Sequence, residues 1–384
     1  MSMKTVGTII LAAALFLSAT APLPGAEPVK KKAAEGDKLF AQPQVLHLQI
    51  EISTANAALL KAEPKKYVRG VLREGAKVYA AVGIRLKGSE SFQPFDKKPG
   101  LAVKFNEYVP GTSFHGQKKI LLNNCLQDPT CLSEVIGGEI FRSAGVPAAR
   151  VVFARVELNG RDLGFYTLVE AASPDFLTRY FKDAKGRLYE GAAADVHERL
   201  EQDSGEISKD QSDLQALAAA AAEKDPVLRF KKLSTLLDMD RFISFVAAEI
   251  FTGHHMGYAL AGDNYRIYHD VATDQMTFLP HGLDVLFEKP ASPLVPEWKG
   301  LVAKAVLEAP EGRRRYHNRM TALLATSFSA ETLQKRIDEL AGVIRAEAKG
   351  DTARGWTFDE AVTALRERVA ARCKFVTEEL NRQK

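Results

Sequence analysis

The stretch from Gly253 to Phe287, GHHMGYALAGDNYRIYHDVATDQMTFLPHGLDVLF, decides how the rest of the chain is read. Asp263-Asn264 leads into Tyr265-Arg266-Ile267-Tyr268, whose alternation has the period of a strand with one buried face. A turn is expected around Asp270 to Asp274, and Met276 to Pro280 follows as a second apolar run ending at His281-Gly282-Leu283-Asp284. The pattern predicts a hairpin with an acidic or amide group at each end. Oxygen-bearing groups at the mouths of adjacent strands are one way to hold a hard cation against a phosphate. The same residues also make ordinary turns, because Asp, Asn and Gly suit turn geometry for purely local reasons. On this stretch alone both readings stand.

Upstream, the first residues have the layout of a secretory leader. Lys4 supplies charge, Ile9 to Leu17 the apolar core and Ala19 to Ala26 the small-residue region. The core is too short for a stable membrane span, so residues 1–26 are expected to be removed after Ala26. Residues 27–44, with Lys30-Lys31-Lys32, then form a polar linker. No other stretch is long and apolar enough to cross a bilayer, which predicts an exported protein, periplasmic or extracellular, without a stable span after leader removal. The formal net charge is only +4 and the basic residues are scattered, without the aromatic interleaving of a nucleic-acid surface. Of the three cysteines, Cys125 and Cys131 are close enough in sequence for a disulfide in an exported chain. Spacing alone leaves a free thiol pair equally open.

Alternating apolar residues place strands at Val45–Ile52, Val78–Leu86, Leu101–Phe105 and Lys118–Leu122. A helix is expected to start at Asp128 as N-cap with Pro129 in its first turn, carry an apolar face through Phe141, and stop at Gly145 and Pro147. Val151–Leu158 and Leu163–Glu170 flank Asn159-Gly160, the strongest short hairpin signal in the chain. After Glu170 the texture turns helical, at Asp175–Phe181, Asp213–Ala222, Asp240–Thr252, Leu301–Leu307, Arg313–Leu324, Glu331–Glu347 and Phe358–Asn381. The fold class is therefore α+β in two lobes. A β-rich N-terminal lobe with one helix spans 45–170, and a mostly helical C-terminal lobe carrying the acidic hairpin spans 171–384.

That plan is the plan of a protein kinase, and the order of motifs resembles one family. Lys87-Gly88-Ser89-Glu90-Ser91-Phe92, then Lys118-Lys119-Ile120-Leu121-Leu122-Asn123-Asn124, then Asp128-Pro129-Thr130 look like the first half of the CotH (spore coat protein H) kinase family. Leu158-Asn159-Gly160 with Gly164-Phe165-Tyr166-Thr167-Leu168-Val169-Glu170, then Asp175-Phe176-Leu177, Leu188-Tyr189 and Asn264-Tyr265-Arg266-Ile267-Tyr268 continue the match, over roughly residues 45 to 345. The Pro-His-Gly-Leu-Asp run is similar to an exported bacterial subfamily. The resemblance implies an atypical kinase fold that uses ATP with Mg or Mn to phosphorylate proteins, with a protein substrate or surface protein as partner.

For site residues it implies a lysine on the nucleotide phosphates, for which Lys87, Lys98 and Lys104 are candidates. Lys104 is preferred because it lies inside a strand, with Glu134 or Glu139 as its pair and Glu170 at the lobe junction near the base. Asn264 and Asp284 would hold the metal, and Asp263 with Asp284 would carry the catalytic role. Two positions depart from the family pattern. Met256 stands where a carboxylate is usual, and Gly282 replaces the first of two aspartates, leaving Asp284. A thioether neither binds a hard cation nor takes a proton at neutral pH. The reading is therefore a phosphotransferase with a degenerate site, or alternatively an inactive kinase-like binding or surface-assembly protein. His254, His255, His269 and His281 share the region, but their spacing matches no usual zinc or iron pattern.

Overall fold

The computed structural model describes residues 35–348 and 355–382. The leader expected at 1–26, and Lys30-Lys31-Lys32 after it, lie outside the described residues.

The first half is a closed barrel. Its strands are β1 (Val45–Glu51), β2 (Val68–Glu74), β3 (Lys77–Lys87), β4 (Gly100–Lys104), β5 (Lys119–Asn123), β6 (Val151–Leu158) and β7 (Arg161–Glu170). They run in the spatial order β1-β2-β3-β4-β5-β7-β6, and the seam is closed by parallel pairing of β1 with β6. The Asn159-Gly160 turn has the positive φ values (52° and 77°) that a two-residue hairpin needs. Inward-facing Leu48, Ile50, Val82, Ile84, Leu101, Val103, Ile120, Leu122, Val156 and Leu168 fill the barrel. Helix α1 (Glu35–Leu39), within the stretch read as linker, joins the barrel's core cluster through buried Leu39, and Asp37 reaches Arg150 at 2.7 Å. Helix α2 (Thr54–Ala62), capped by Ser53, connects β1 to β2.

Helix α3 (Ser133–Ser143) begins later than the sequence suggests. Cys131 has φ 54° and cannot sit in a right-handed helix, and Cys125 and Cys131 are joined by a disulfide. Asp128 still acts as a cap, but across a loop: its carboxylate accepts from Thr130 N (2.9 Å) and from Ser133 N (2.8 Å).

The second half holds a second sheet, ordered β11-β10-β8-β9, from β8 (Arg187–Gly191), β9 (Glu201–Ser204), β10 (Tyr265–Asp270) and β11 (Gln275–Pro280). Around it lie α4 (Pro174–Tyr180), α5 (Ser212–Ala221), α6 (Pro226–Leu236), α7 (Met239–Thr252), α8 (Tyr258–Ala261), α9 (Leu301–Leu307), α10 (Pro310–Thr326), α11 (Ala330–Ile344) and α12 (Phe358–Arg382). Helix α7 is buried along almost its whole length, begins at the Asp238 cap and ends at left-handed Gly253. Phe242 and Phe245 of α7 stack around Phe278 of β11, and Phe141 of α3 packs on Phe245. The core of the second half therefore runs continuously into α3. Among the described residues no helix is long and apolar enough to cross a membrane.

A candidate nucleotide cleft

The barrel and the second half meet along a cleft lined by Leu121, Val151, Val169 and Glu170 on one side and by Arg266, Leu279 and His281 on the other. The hairpin β10–β11 leads into Gly282 and Leu283 of the cleft lining, with Asn264 against Gly282 and Asp284 next to Leu283. Helix α3 supplies Glu134, and its approach depends on Gly137: a Cβ there would lie 2.6 Å from Leu286 Cδ1 and 3.2 Å from Leu283 Cβ. Without a side chain at 137 the helix lies directly on the 283–286 segment. Glu134, one turn earlier, is thereby set within electrostatic reach of Asp284.

Lys87, at the end of β3, donates to Asn123 Oδ1 at the end of β5. Asn123 Nδ2 donates in turn to Glu134 Oε2 at 2.7 Å, and Thr167 Oγ1 donates to the same oxygen at 2.9 Å. An amide thus stands between the lysine and the glutamate. Glu134 is buried (6 % exposed), and burial together with the charge of Asp284 pushes its pKa up to about 7. Burial lowers the pKa of Lys87, and Glu134 and Asp284 counter part of that shift. Asn124, next in sequence, donates to Ser91 O (3.0 Å) and Lys98 O (2.9 Å), tying down the loop between β3 and β4. Three motifs far apart in sequence therefore converge on one point.

The candidate lysines are placed differently. Lys104 ends β4 and pairs with Glu107 at 2.6 Å beside Tyr67, whereas the charges that act on Glu134 are those of Asp284 and Lys87. Glu139 is engaged elsewhere, in a two-pronged ion pair with Arg336 of α11 (2.7 Å). Glu170 does line the cleft, but its carboxylate is held by Arg150 (2.8 Å) and by Arg179. Asp263 is a turn residue whose Oδ1 accepts from Ala193 N (2.9 Å) and Asn264 N (2.7 Å). Asn123 and Thr167 were not singled out from sequence, although both fall inside the quoted motifs.

Asn264 has φ 49°, and its Nδ2 donates to Met256 O at 3.1 Å. Its Oδ1 faces Gly282 (φ 61°), where a Cβ would come within 2.7 Å of it. Gly282 thus keeps the space before that oxygen open. Among the described residues the Asp284 carboxylate makes no hydrogen bond or ion pair. His254 donates from Nε2 to Gly282 O (2.9 Å) and fixes the backbone leading to Asp284. His281 accepts from Arg266 at Nδ1 (3.0 Å), and burial with that guanidinium holds its pKa well below the ordinary histidine value. His269 lies at the far end of the hairpin, between Asp213 and Asp274.

A family profile described as CotH kinase protein matches residues 84–379. The chain belongs to the CotH kinase family. Membership makes it a kinase-like protein of mixed α/β structure. It is 24 % identical over 264 residues to the inner spore coat protein H of Bacillus subtilis (strain 168), covering 63 % of this chain and 71 % of that one. Among solved structures, the Helicobacter pylori proinflammatory kinase CtkA is 10 % identical, with 74 % of this chain and 94 % of that one covered and a TM-score of 0.34. The Shewanella oneidensis MR-1 toxin–antitoxin complex of HipA, HipB and operator DNA is 12 % identical, with 87 % and 74 % covered and a TM-score of 0.34. Superpositions at that level do not bear on the fold.

CotH-family membership implies a nucleotide and a divalent cation in general terms. Among the described residues no group of three or more His, Cys, Asp or Glu side chains forms a cation cage. The donor set still fits Mg2+ or Mn2+. The unpartnered Asp284 carboxylate, Asn264 Oδ1 with open space before it, and Glu134 are hard oxygen donors. Mg2+ is commonly held by one or two carboxylates, with water and substrate phosphates completing its shell.

Proposed function

We propose that the cleft binds ATP with Mg2+ or Mn2+ and that phosphoryl transfer from it is weak. The observation that carries this reading is the Lys87–Asn123–Glu134 relay set against an Asp284 carboxylate with no partner of its own. Lys87 would meet the phosphates; Asn264 and Asp284, with Glu134, would hold the cation. The cation supplies charge neutralisation of the phosphates when bound. Phosphoryl transfer also needs a carboxylate to orient the attacking hydroxyl. Met256 offers a thioether there, and Asp263 Oδ1 is held by two backbone N–H groups of a turn. The same two facts favour the second reading, a kinase-like binding or surface-assembly protein without turnover.

A two-lobed kinase-like arrangement would suit this assignment, with the barrel as one lobe and the second half, whose core includes α3, as the other. We further propose that the chain is exported, periplasmic or extracellular, through the leader at 1–26, and that its partner is a protein substrate or a surface protein, not a nucleic acid. ATP is scarce outside the cytoplasm, which suits a protein whose cleft binds more than it turns over.

Calorimetric titration with ATP and Mg2+ or Mn2+, beside the Asp284→Asn variant, tests the reading. Metal-dependent heat in the wild type that falls at least about tenfold in affinity in the variant is expected. Absence of binding with either metal would sink it. ADP release in the same mixtures, with a protein acceptor present, separates slow transfer from none.

A further inference from the structure

We propose that the Cys125–Cys131 disulfide is the positioning element of the Lys87–Asn123–Glu134 relay, so that the cleft is assembled in the oxidised chain and loosens on reduction. The importance given to the relay rests on the nucleotide reading above; the coupling of relay to disulfide does not.

The residues between Asn123 and Glu134 carry both ends of the relay. Asn123 bonds Lys87 and Glu134, and Asn124 pins the loop between β3 and β4. Cys125 follows at once, and Cys131 stands three residues before Glu134, with 5.4 Å between the two cysteine Cα atoms. The bond therefore clamps together the end of β5 and the start of α3, the two elements that the relay must hold in register.

Three features make this clamp more than a general staple. Both cysteines have left-handed backbone, φ 53° and 54°, a conformation that non-glycine residues keep only where the surroundings impose it. The N-cap residue of α3, Leu132, makes no side-chain cap. The first turn of the helix relies instead on Asp128, inside the clamped loop, whose Oδ2 accepts from Ser133 N at 2.8 Å while its Oδ1 accepts from Thr130 N and Thr130 Oγ1. Loss of the bond thus frees two strained residues and the Asp128 side chain that accepts from the Ser133 N–H of α3. Reduction by a dithiol breaks the S–S bond and delivers two electrons and two protons. Two thiols form, and the dithiol leaves as its own cyclic disulfide.

The test uses the full chain with and without dithiothreitol, scored by alkylation and mass. The buried Cys373 is the one free thiol before reduction, and all three cysteines are free after it. If the native chain resists the reagent, the Cys125→Ala/Cys131→Ala variant takes the same measurements. Amide exchange at 119–124 and 133–138 is expected to rise at least about tenfold on reduction, while β6–β7 and α7 keep their protection. ATP–metal affinity is expected to fall in parallel. Unchanged exchange at both segments after full reduction, or a uniform rise across the molecule, overturns the proposal. A local rise with no ATP binding in either state upholds the clamp and fells the nucleotide reading.

Discussion

The two ends of the β10–β11 hairpin carry similar residues and are built in opposite ways. At the turn end, the carboxylates of Asp213 (2.9 Å) and Asp274 (2.9 Å) accept from the two ring nitrogens of His269, and Asp213 also receives Arg187 (3.1 Å), Tyr189 OH (2.9 Å) and Leu214 N (3.0 Å). Burial alone would raise the Asp213 pKa, but the hydrogen bonds from His269, Tyr189, Leu214 and Arg187 outweigh it and hold the pKa at about 2. At the cleft end, Asp284 has no such donors, and its charge faces Glu134 and pushes that proton affinity up. The saturated end stabilises the fold. The cleft end keeps a carboxylate without hydrogen-bond donors, and a ligand that supplies partners gains the difference.

The same substitution at the two aspartates probes this contrast most strongly. Asp213→Ala strips the partner from a buried histidine, a tyrosine and an arginine, and is expected to cost about 3 kcal/mol in thermal or denaturant unfolding. Asp284→Ala removes a repulsion from Glu134 together with an attraction to Lys87, and should leave stability within ~0.5 kcal/mol of wild type. Equal losses at both ends would mean that Asp284 is a structural residue and that the ends do not differ in kind.

The sequence made some of this contrast legible. Asn159-Gly160 announced its hairpin because that dipeptide tolerates positive φ at both positions, and the alternation at 265–268 and 276–280 placed Asn264 and Asp284 at neighbouring strand ends. The sequence does not separate the two lysines, for a physical reason. Lys87 and Lys104 both end strands, and only barrel closure decides which end faces the cleft; pairing sets Lys104 opposite Gly83 and Lys119, while Lys87 lies opposite Gly100. Asp128 was legible as a cap, but the left-handed Cys131 that delays α3 was not. The helix α6 went unread despite its Asp225 cap and Pro226, and β8 and β9 fell in a half read as helical. Above all, spacing could not show that Asp263 Oδ1 takes two backbone N–H groups of a turn, because hydrogen-bond partners are a property of the folded neighbourhood.

Gly282 offers a sharper test of the open end. Restoring a carboxylate with Gly282→Asp forces a side chain into φ 61° and into contact with Asn264 Oδ1, whose own amide is anchored on Met256 O. A loss of ~2 kcal/mol is expected, without tighter Mn2+ binding. A variant that melts like wild type and binds Mn2+ more tightly would show that the open end lacks only a charge, not the room for one.

The smallest effect concerns the proton on Glu134. Its carboxyl titrates at about 7 in the folded chain, against an ordinary value of 4.5. Between those values the folded chain holds more protons than the unfolded one, so this group's contribution falls as pH rises. Below 4.5 the acid is neutral in both states and the penalty is absent; above 7 it is fully present. Glu134→Gln keeps an oxygen for Asn123 and Thr167 and carries no charge against Asp284. Its stability should therefore match wild type in acid and exceed it at about pH 8 by roughly 1 kcal/mol, with ~3 kcal/mol as the ceiling set by the shift. Paired melts across that range measure it. If the variant were instead the less stable protein at about pH 8, Glu134 would be acting as the ionised partner of Lys87, as firmly satisfied as Asp213, and the two ends of the hairpin would be alike.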